Sequence, residues 1–177
     1  MTRNRLCLLV AAVAGLAALP GASAQAQTCG TPNKPCVYAV KFVCGFQAPL
    51  DAEVPIEPPV KPGNYATAVN VQNFHNAAAK LAVRAVIANP VGQLPAPPGP
   101  VVNGVLKPLE AIEFDCKQIA ANLAKTTPKL PPFIKGFLDI TSSVILSVVG
   151  VYTAAQAGGE GKAPVSIDVV PQQPFAP

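Results

Sequence analysis

Apolar and polar positions alternate most regularly between Val37 and Phe46. Read with a period of two, one side of this stretch is almost wholly apolar and consists of Tyr38, Val40, Phe42, Cys44 and Phe46. Ala39 and Lys41 fall on the other side. This alternation is typical of a half-buried β-strand. We therefore predict a first strand that carries a cysteine into the core.

The same period of two recurs along the rest of the chain. Residues 64–73 place Tyr65, Thr67, Val69 and Val71 on one face. Residues 109–116 place Ile112, Phe114 and Cys116 on one face, with Glu113 and Asp115 opposite. Further strands are predicted at residues 101–106, 133–140, 144–153 and 165–170, the last ended by Pro171.

The long apolar segment 133–155 could be mistaken for a membrane span. Lys135 and Asp139 interrupt it, and the turn-forming residues 141–143 divide it. Two strands are therefore expected rather than one membrane-spanning helix. The second strand is apolar on both faces and should be central in its sheet.

Residues 76–88 fit two patterns. As a strand they place Leu81, Val83, Ala85 and Ile87 inward; as a helix they place Ala78, Leu81, Ala82, Ala85 and Val86 on one stripe. Alanine favours a helix, whereas the β-branched residues favour a strand. We predict a strand because short polar turns flank the segment and its neighbours are strands.

A single short helix is predicted after Asp115. Cys116, Ile119, Ala120 and Leu123 are spaced as on one helical face. Asp115 and Gln118 have the spacing of a capping box, in which each side chain bonds the other residue's backbone. The helix should end near Ala124.

Two proline-rich segments, residues 47–63 and 89–100, are predicted loops because proline cannot donate a ladder hydrogen bond. The chain therefore contains seven or eight short strands and one short helix. This profile is typical of an all-β antiparallel sandwich. We expect one such domain over residues 27–171, followed by a proline-rich tail, residues 172–177.

Residues 1–26 have the form of a cleaved secretory signal peptide. Arg3 and Arg5 precede a short apolar stretch, and small residues follow it as a cleavage site requires. Cleavage is expected after Ala24 or Ala26. We therefore predict an exported protein, periplasmic or extracellular, with no integral membrane span after signal removal.

The charge of the mature chain argues against a nucleic-acid partner. Loss of Arg3 and Arg5 leaves 11 of the 13 Lys and Arg against nine Asp and Glu, a net charge near +2. These cations are scattered and form neither a stripe nor a cluster. We expect no binding to nucleic acid and no polybasic membrane contact.

Four cysteines remain once Cys7 leaves with the signal, and in an exported chain they favour two disulfides over a metal site. Three connectivities are possible. We predict Cys29–Cys36, which closes a short loop, and Cys44–Cys116, because both of these cysteines share the inward parity of their strands. Zinc binding requires paired ligand spacing that is missing here.

Few residues suggest catalysis. His75 is the only histidine and lies in a predicted turn, where an exposed, non-catalytic histidine is expected. Three further sets of side chains are possible sites. They are the carboxylates Glu110, Glu113 and Asp115 for a glycosidase, Asp51, Glu53 and Glu57 as calcium ligands, and Tyr38, Tyr65 and Tyr152 as sugar-stacking rings. We interpret the acidic groups as solvated surface and predict no enzyme activity, cofactor or metal.

Several sequence segments resemble those of a group of small exported bacterial proteins without assigned function. They are the segment Tyr38 to Gly45, residues 62–71, and residues 133–140 with 148–153. The resemblance implies a secreted all-β domain with cysteines matched to Cys44 and Cys116, and it implies no catalytic residue. In strand order the chain also resembles, at the level of fold alone, the small sandwich proteins related to sensory rhodopsin transducers.

Two functions follow as hypotheses. The first is a non-enzymatic structural or interaction domain at the cell envelope or outside the cell, with a protein partner or a second copy as its ligand. The alternative is a small-ligand or glycan-binding module whose cleft lies between residues 49–62 and 90–100.

Overall fold

The computed structural model describes residues 29–30, 34–49, 60–156 and 166–172. The predicted signal peptide, most of the first proline-rich loop and the tail after Gln172 lie outside these residues. The elements in chain order are β1 (Cys36–Gln47), β2 (Gly63–Gln72), β3 (Ala79–Ile87), β4 (Val102–Leu106), β5 (Ala111–Asp115), α1 (Cys116–Leu123), β6 (Phe133–Ser142), β7 (Ser147–Gln156) and β8 (Ser166–Gln172).

The strands form one antiparallel sheet that curls into a half-barrel. Their order is β4-β3-β6-β1-β2-β7-β8, and β5 pairs with β2 beside this path. The prediction of an antiparallel all-β fold with one short helix is confirmed at this level. Within segment 76–88 the predicted strand is confirmed as β3 (Ala79–Ile87), in which Leu81, Val83 and Ala85 are buried.

The core is built on β1, which pairs with β6 over ten residues from Cys36 opposite Ser142 to Gly45 opposite Phe133. Tyr38, Val40 and Phe42 are completely buried, as their shared parity predicts. The prediction that Phe46 faces inward is wrong. Gly45 adopts a φ of +99° and lies so close to the Pro132 carbonyl that no Cβ fits, so the strand alternation is broken just before Phe46.

The sheet divides between β1 and β2, because these strands pair only over residues 45–47 and 63–65. Side chains take the place of the missing ladder. Thr67 Oγ1 accepts a hydrogen bond from Val43 N–H and donates one to the Val43 carbonyl, both at 2.9 Å. Tyr152 Oη donates to the Lys41 carbonyl at 2.8 Å. The buried backbone of β1 therefore remains hydrogen-bonded where β2 turns away.

Helix α1 begins at the predicted capping box. The Asp115 side chain accepts from Gln118 N–H at 2.8 Å, and Gln118 Oε1 accepts from Asp115 N–H at 2.6 Å. Ile119 and Leu123 are the buried residues of this helix. Among the described residues, no helix is long and apolar enough to cross a membrane.

Two cysteine pairs lie at disulfide distance, Cys29 with Cys36 and Cys44 with Cys116, with Cα atoms 4.9 and 5.6 Å apart. The predicted pairing of Cys44 with Cys116 agrees with this geometry. The reason given for it, that Cys116 lies on the inward face of a strand, is wrong. β5 ends at Asp115, so Cys116 is the first residue of α1 and its direction is set by the helix. Ile112, expected to face the core, is 40% exposed.

Two predicted strand ends are also corrected. β6 continues through Thr141 and Ser142, which pair with β1 and β3 instead of forming a turn. β8 continues past Pro171, which lies opposite Val149. Proline is tolerated there because β8 is the last strand of the sheet order and pairs with β7 alone.

Candidate functional site: an open strand edge and its cavity

The half-barrel is open between β4 and β5. Both strands adjoin the turn at residues 107–110, but β4 pairs with β3 whereas β5 pairs with β2. The two strands therefore separate as they leave the turn. Within the described residues this leaves β4 with one unpaired edge that faces the opening.

A cavity of about 280 Å³ lies in this opening. Val102 at the start of β4 and Phe114 near the end of β5 are on its two sides, and α1 contributes Ile119. Its apolar wall consists of Val83, Val102, Ile112, Phe114, Ile119 and Leu138. The volume is at the lower limit for a small-molecule site, and the walls suit an apolar group.

Of the four polar residues that line the cavity, Arg84, Gln118 and Asn122 have partners, and the fourth is the exposed Glu113 of β5. Arg84 Nε lies 3.6 Å from Asp139 Oδ2, in a pair that is partly exposed and therefore weak. Asn122 Nδ2 donates to the Pro100 carbonyl at 2.9 Å, and its Oδ1 accepts from Ala85 N–H at 3.3 Å. A bound group would consequently meet mainly apolar surface.

His75 lies in the connection between β2 and β3, as predicted, but it is only partly exposed. Its ring packs on Phe74 with centroids 4.3 Å apart. Its Nε2 is buried and has no hydrogen-bond partner among the described residues. Because a general base must be oriented by a partner and lie within reach of a nucleophile, this arrangement gives no support to a catalytic triad.

Two of the acidic residues considered for catalysis, Glu110 and Asp115, serve structural roles. Glu110 Oε2 accepts a hydrogen bond from Lys107 N–H at 2.7 Å, which closes the turn between β4 and β5. Asp115 caps α1, and Glu113 is exposed on β5. In the part of the chain that the structure describes, no group of three His, Cys, Asp or Glu could hold a metal ion. Asp51, Glu53 and Glu57 lie outside that part.

The three tyrosines are tied to the backbone. Tyr38 is completely buried; its hydroxyl accepts from Leu146 N–H at 2.7 Å and donates to the Leu146 carbonyl at 3.2 Å. Burial raises the pKa of Tyr38 above its usual value of 10.0, and the hydrogen bond to Leu146 offsets part of that rise. Because its side chain is buried, Tyr38 is not accessible for stacking on a sugar. Tyr65 and Tyr152 line a shallow depression of about 270 Å³.

Sequence reasoning missed the residue that holds the turn beside β4. Asn73 is completely buried at the end of β2, and its Nδ2 donates to the carbonyls of Ala77, Leu106 and Lys107 at 2.8, 3.0 and 3.2 Å. Its Oδ1 accepts from His75 N–H at 3.0 Å. An asparagine directly after a strand is a turn signal, but its long-range partners cannot be inferred from the sequence.

The exposed side chains of β4 are uncharged. Val102 and Val105 are 45% and 61% exposed, and only Leu106 of this strand is buried. No Asp, Glu, Lys or Arg occurs anywhere between residues 86 and 106. Soluble proteins usually protect such an edge with charge, proline or a bulge.

Two other strands with an unpaired edge, β5 and β8, carry such protection. β8, at the opposite end of the sheet order, contains Pro171, which has no backbone N–H to donate. β5 contains Glu113 and Asp115. Among the described strands, β4 therefore has an unpaired edge whose exposed side chains do not hinder pairing with another strand.

Comparison with known proteins gives little further information. No protein-family model matches the chain, and no curated protein matches it. The solved structure of Thermotoga maritima 1070 is similar with a TM-score of 0.44 and 8% identity over 80% of this chain and 95% of that chain. A similarity of that size supports no conclusion about fold or function, so the resemblance to exported bacterial proteins stays a prediction.

Proposed function

We propose that the chain is an exported, non-enzymatic interaction domain that accepts an extended strand at the free edge of β4. The observation that carries this proposal is the contrast between β4, which is uncharged and exposed, and the protected strands β5 and β8. Strand addition uses the unpaired backbone groups of an edge for affinity and pockets for alternate side chains for specificity. The cavity beside Val102 supplies such a pocket.

Export is supported by the predicted signal peptide and by the two cysteine pairs, since disulfides persist in oxidising compartments. A strand added to β4 would also extend the curled sheet across its opening. The added strand would thereby bring the half-barrel closer to the two-layered sandwich that the sequence pattern predicts.

The test uses a phage-displayed library of random peptides selected on the mature protein. Peptides with apolar residues at alternate positions should be enriched, because only one face of an added strand meets the cavity. Their synthetic forms should lose binding to the Val105→Lys variant, since a lysine on an edge opposes pairing. Ile145→Lys, which adds the same charge in an exposed turn, is the matched control and should bind normally. A library without enrichment, or equal binding to both variants, would contradict the proposal.

A second candidate function is the binding of a small apolar ligand, favoured by the cavity of about 280 Å³. Octanol and benzene are suitable probes in a thermal-shift assay. A stabilisation that disappears in Val102→Phe, whose larger ring would fill the cavity, would support this function. Stabilisation that is unchanged in that variant, or none at millimolar probe, would count against it.

A further inference from the structure

We infer that the strand accepted by β4 is β4 of a second copy of this chain, paired antiparallel about Gly104; this inference rests on the proposed function. Two identical strands paired in this way form a two-fold symmetric, closed contact. Gly104 then lies opposite Gly104 of the second copy, Val102 opposite its Leu106, and Asn103 opposite its Val105. Every position of this five-residue strand has a partner in that register.

The distribution of charge favours a second copy as the occupant. Because residues 86–106 contain no charged side chain, two copies can bring these surfaces together without placing like charges side by side. The rest of the mature chain carries all of its charge, a net value near +2, so contacts between other parts of two copies are opposed by a weak repulsion. The pairing of β4 with β5 or β8 of another copy would place charged residues or a proline at the seam.

The space around β4 permits β4 of a second copy to approach it. A Cβ built at Gly104 meets no atom within 4 Å, so the face of the strand that residue 104 shares with Val102 and Leu106 is open at the proposed two-fold axis. Val102 and Leu106 share one parity and Asn103 and Val105 the other, as in any strand. Pairing would therefore cover Val102 on the cavity side and Val105 on the outer side, which are the exposed valines of β4.

The expected dimer is weak. A seam of five residues is short, and interfaces that bury less than about 1,000 Å² are usually transient. The adjoining loop can enlarge it, because Val91, Leu94 and Val101 are exposed in the same uncharged segment. Association should accordingly depend on protein concentration between about 10 μM and 1 mM.

The register is tested by the variant Gly104→Cys in the mature protein. Directly opposed residues of antiparallel strands have Cα atoms roughly 4.5–5.5 Å apart, which is within the range for a disulfide. Oxidation should therefore join two Gly104→Cys chains into a covalent dimer at high protein concentration, through a peptide that contains residue 104 of both chains. Lys125→Cys, at an exposed position in the turn after α1 and outside the uncharged segment, is the control for random collision and should join far more slowly. Equal rates for the two variants would refute the register.

The interface itself is tested by sedimentation velocity over the same concentrations. The unmodified protein should shift from monomer toward dimer, Val105→Lys should weaken this association at least about tenfold, a difference of roughly 1.4 kcal/mol, and Ile145→Lys should not. A protein that stays monomeric throughout overturns the inference. In that case, library peptides that bind the unmodified protein but not Val105→Lys would leave the proposed function intact. If Val105→Lys weakens neither peptide binding nor self-association, both proposals fail.

Discussion

The buried side chain of Asn73 offers the sharpest test of how β4 is held in place. Its amide group contacts four backbone partners: the two Nδ2 hydrogens are shared among three carbonyls, and Oδ1 accepts from His75 N–H. Two of the acceptor carbonyls belong to Leu106 and Lys107, at the end of β4 and in the turn that follows. The asparagine thus ties the end of β2 to the end of β4 across 33 residues.

Asn73→Ala should lower the free energy of unfolding by about 3–5 kcal/mol. Each net hydrogen bond contributes about 1 kcal/mol, and each buried group left without a partner costs about 1–3 kcal/mol. Asn73→Asp should cost more at neutral pH, because its carboxylate would face three carbonyl oxygens and burial penalises the charge. Those effects raise the pKa of the introduced carboxyl above its unfolded value of about 3.9, so the extra loss should shrink as the pH falls through that raised pKa and be gone below about 4.

Urea unfolding followed by far-UV circular dichroism measures these changes. The midpoint should move while the slope stays constant, since the amount of surface exposed on unfolding is unchanged. Asn76→Asp is the matched control, because Asn76 is exposed in the same connection and should change stability by less than about 0.5 kcal/mol. A loss below about 1 kcal/mol for Asn73→Ala, or equal losses for the two aspartate variants, would refute the reasoning.

Three further predictions concern residues on β1 and their partners. Thr67→Val keeps the shape of the side chain but removes both hydrogen bonds to Val43, so it should cost about 2–4 kcal/mol by the same urea assay; a cost near zero would show that water replaces them. Replacing Cys44 and Cys116 together with alanine should cost about 4 kcal/mol, against about 2 for the other disulfide, because the cysteines are 72 rather than 7 residues apart; peptide mapping of the non-reduced protein checks the pairing first. Tyr38 should make stability fall above pH 10.0, since its raised pKa keeps the proton in the folded state after the unfolded state has lost it; in Tyr38→Phe this part of the decline should disappear.

The sequence by itself determined most of the local structure. A period of two reports which face of a strand is buried, and it correctly placed Tyr38, Val40 and Phe42 in the core. The capping box located the start of α1 to the residue, because its two hydrogen bonds depend only on neighbours in sequence. Phe46 was misassigned because one glycine with positive φ cancels the alternation that the prediction assumed.

Only the tertiary structure decided how the strands are arranged. Periodicity carries no information about which strands lie side by side, so the split between β1 and β2 and the opening between β4 and β5 could not be inferred. The roles of Thr67 and Asn73 depend on that arrangement, since their partners lie 24 and 33 residues away along the chain. The absence of charge from residues 86–106 was visible in the sequence, but only the fold shows that β4 lies at an edge, where unpaired backbone groups adjoin exposed valines.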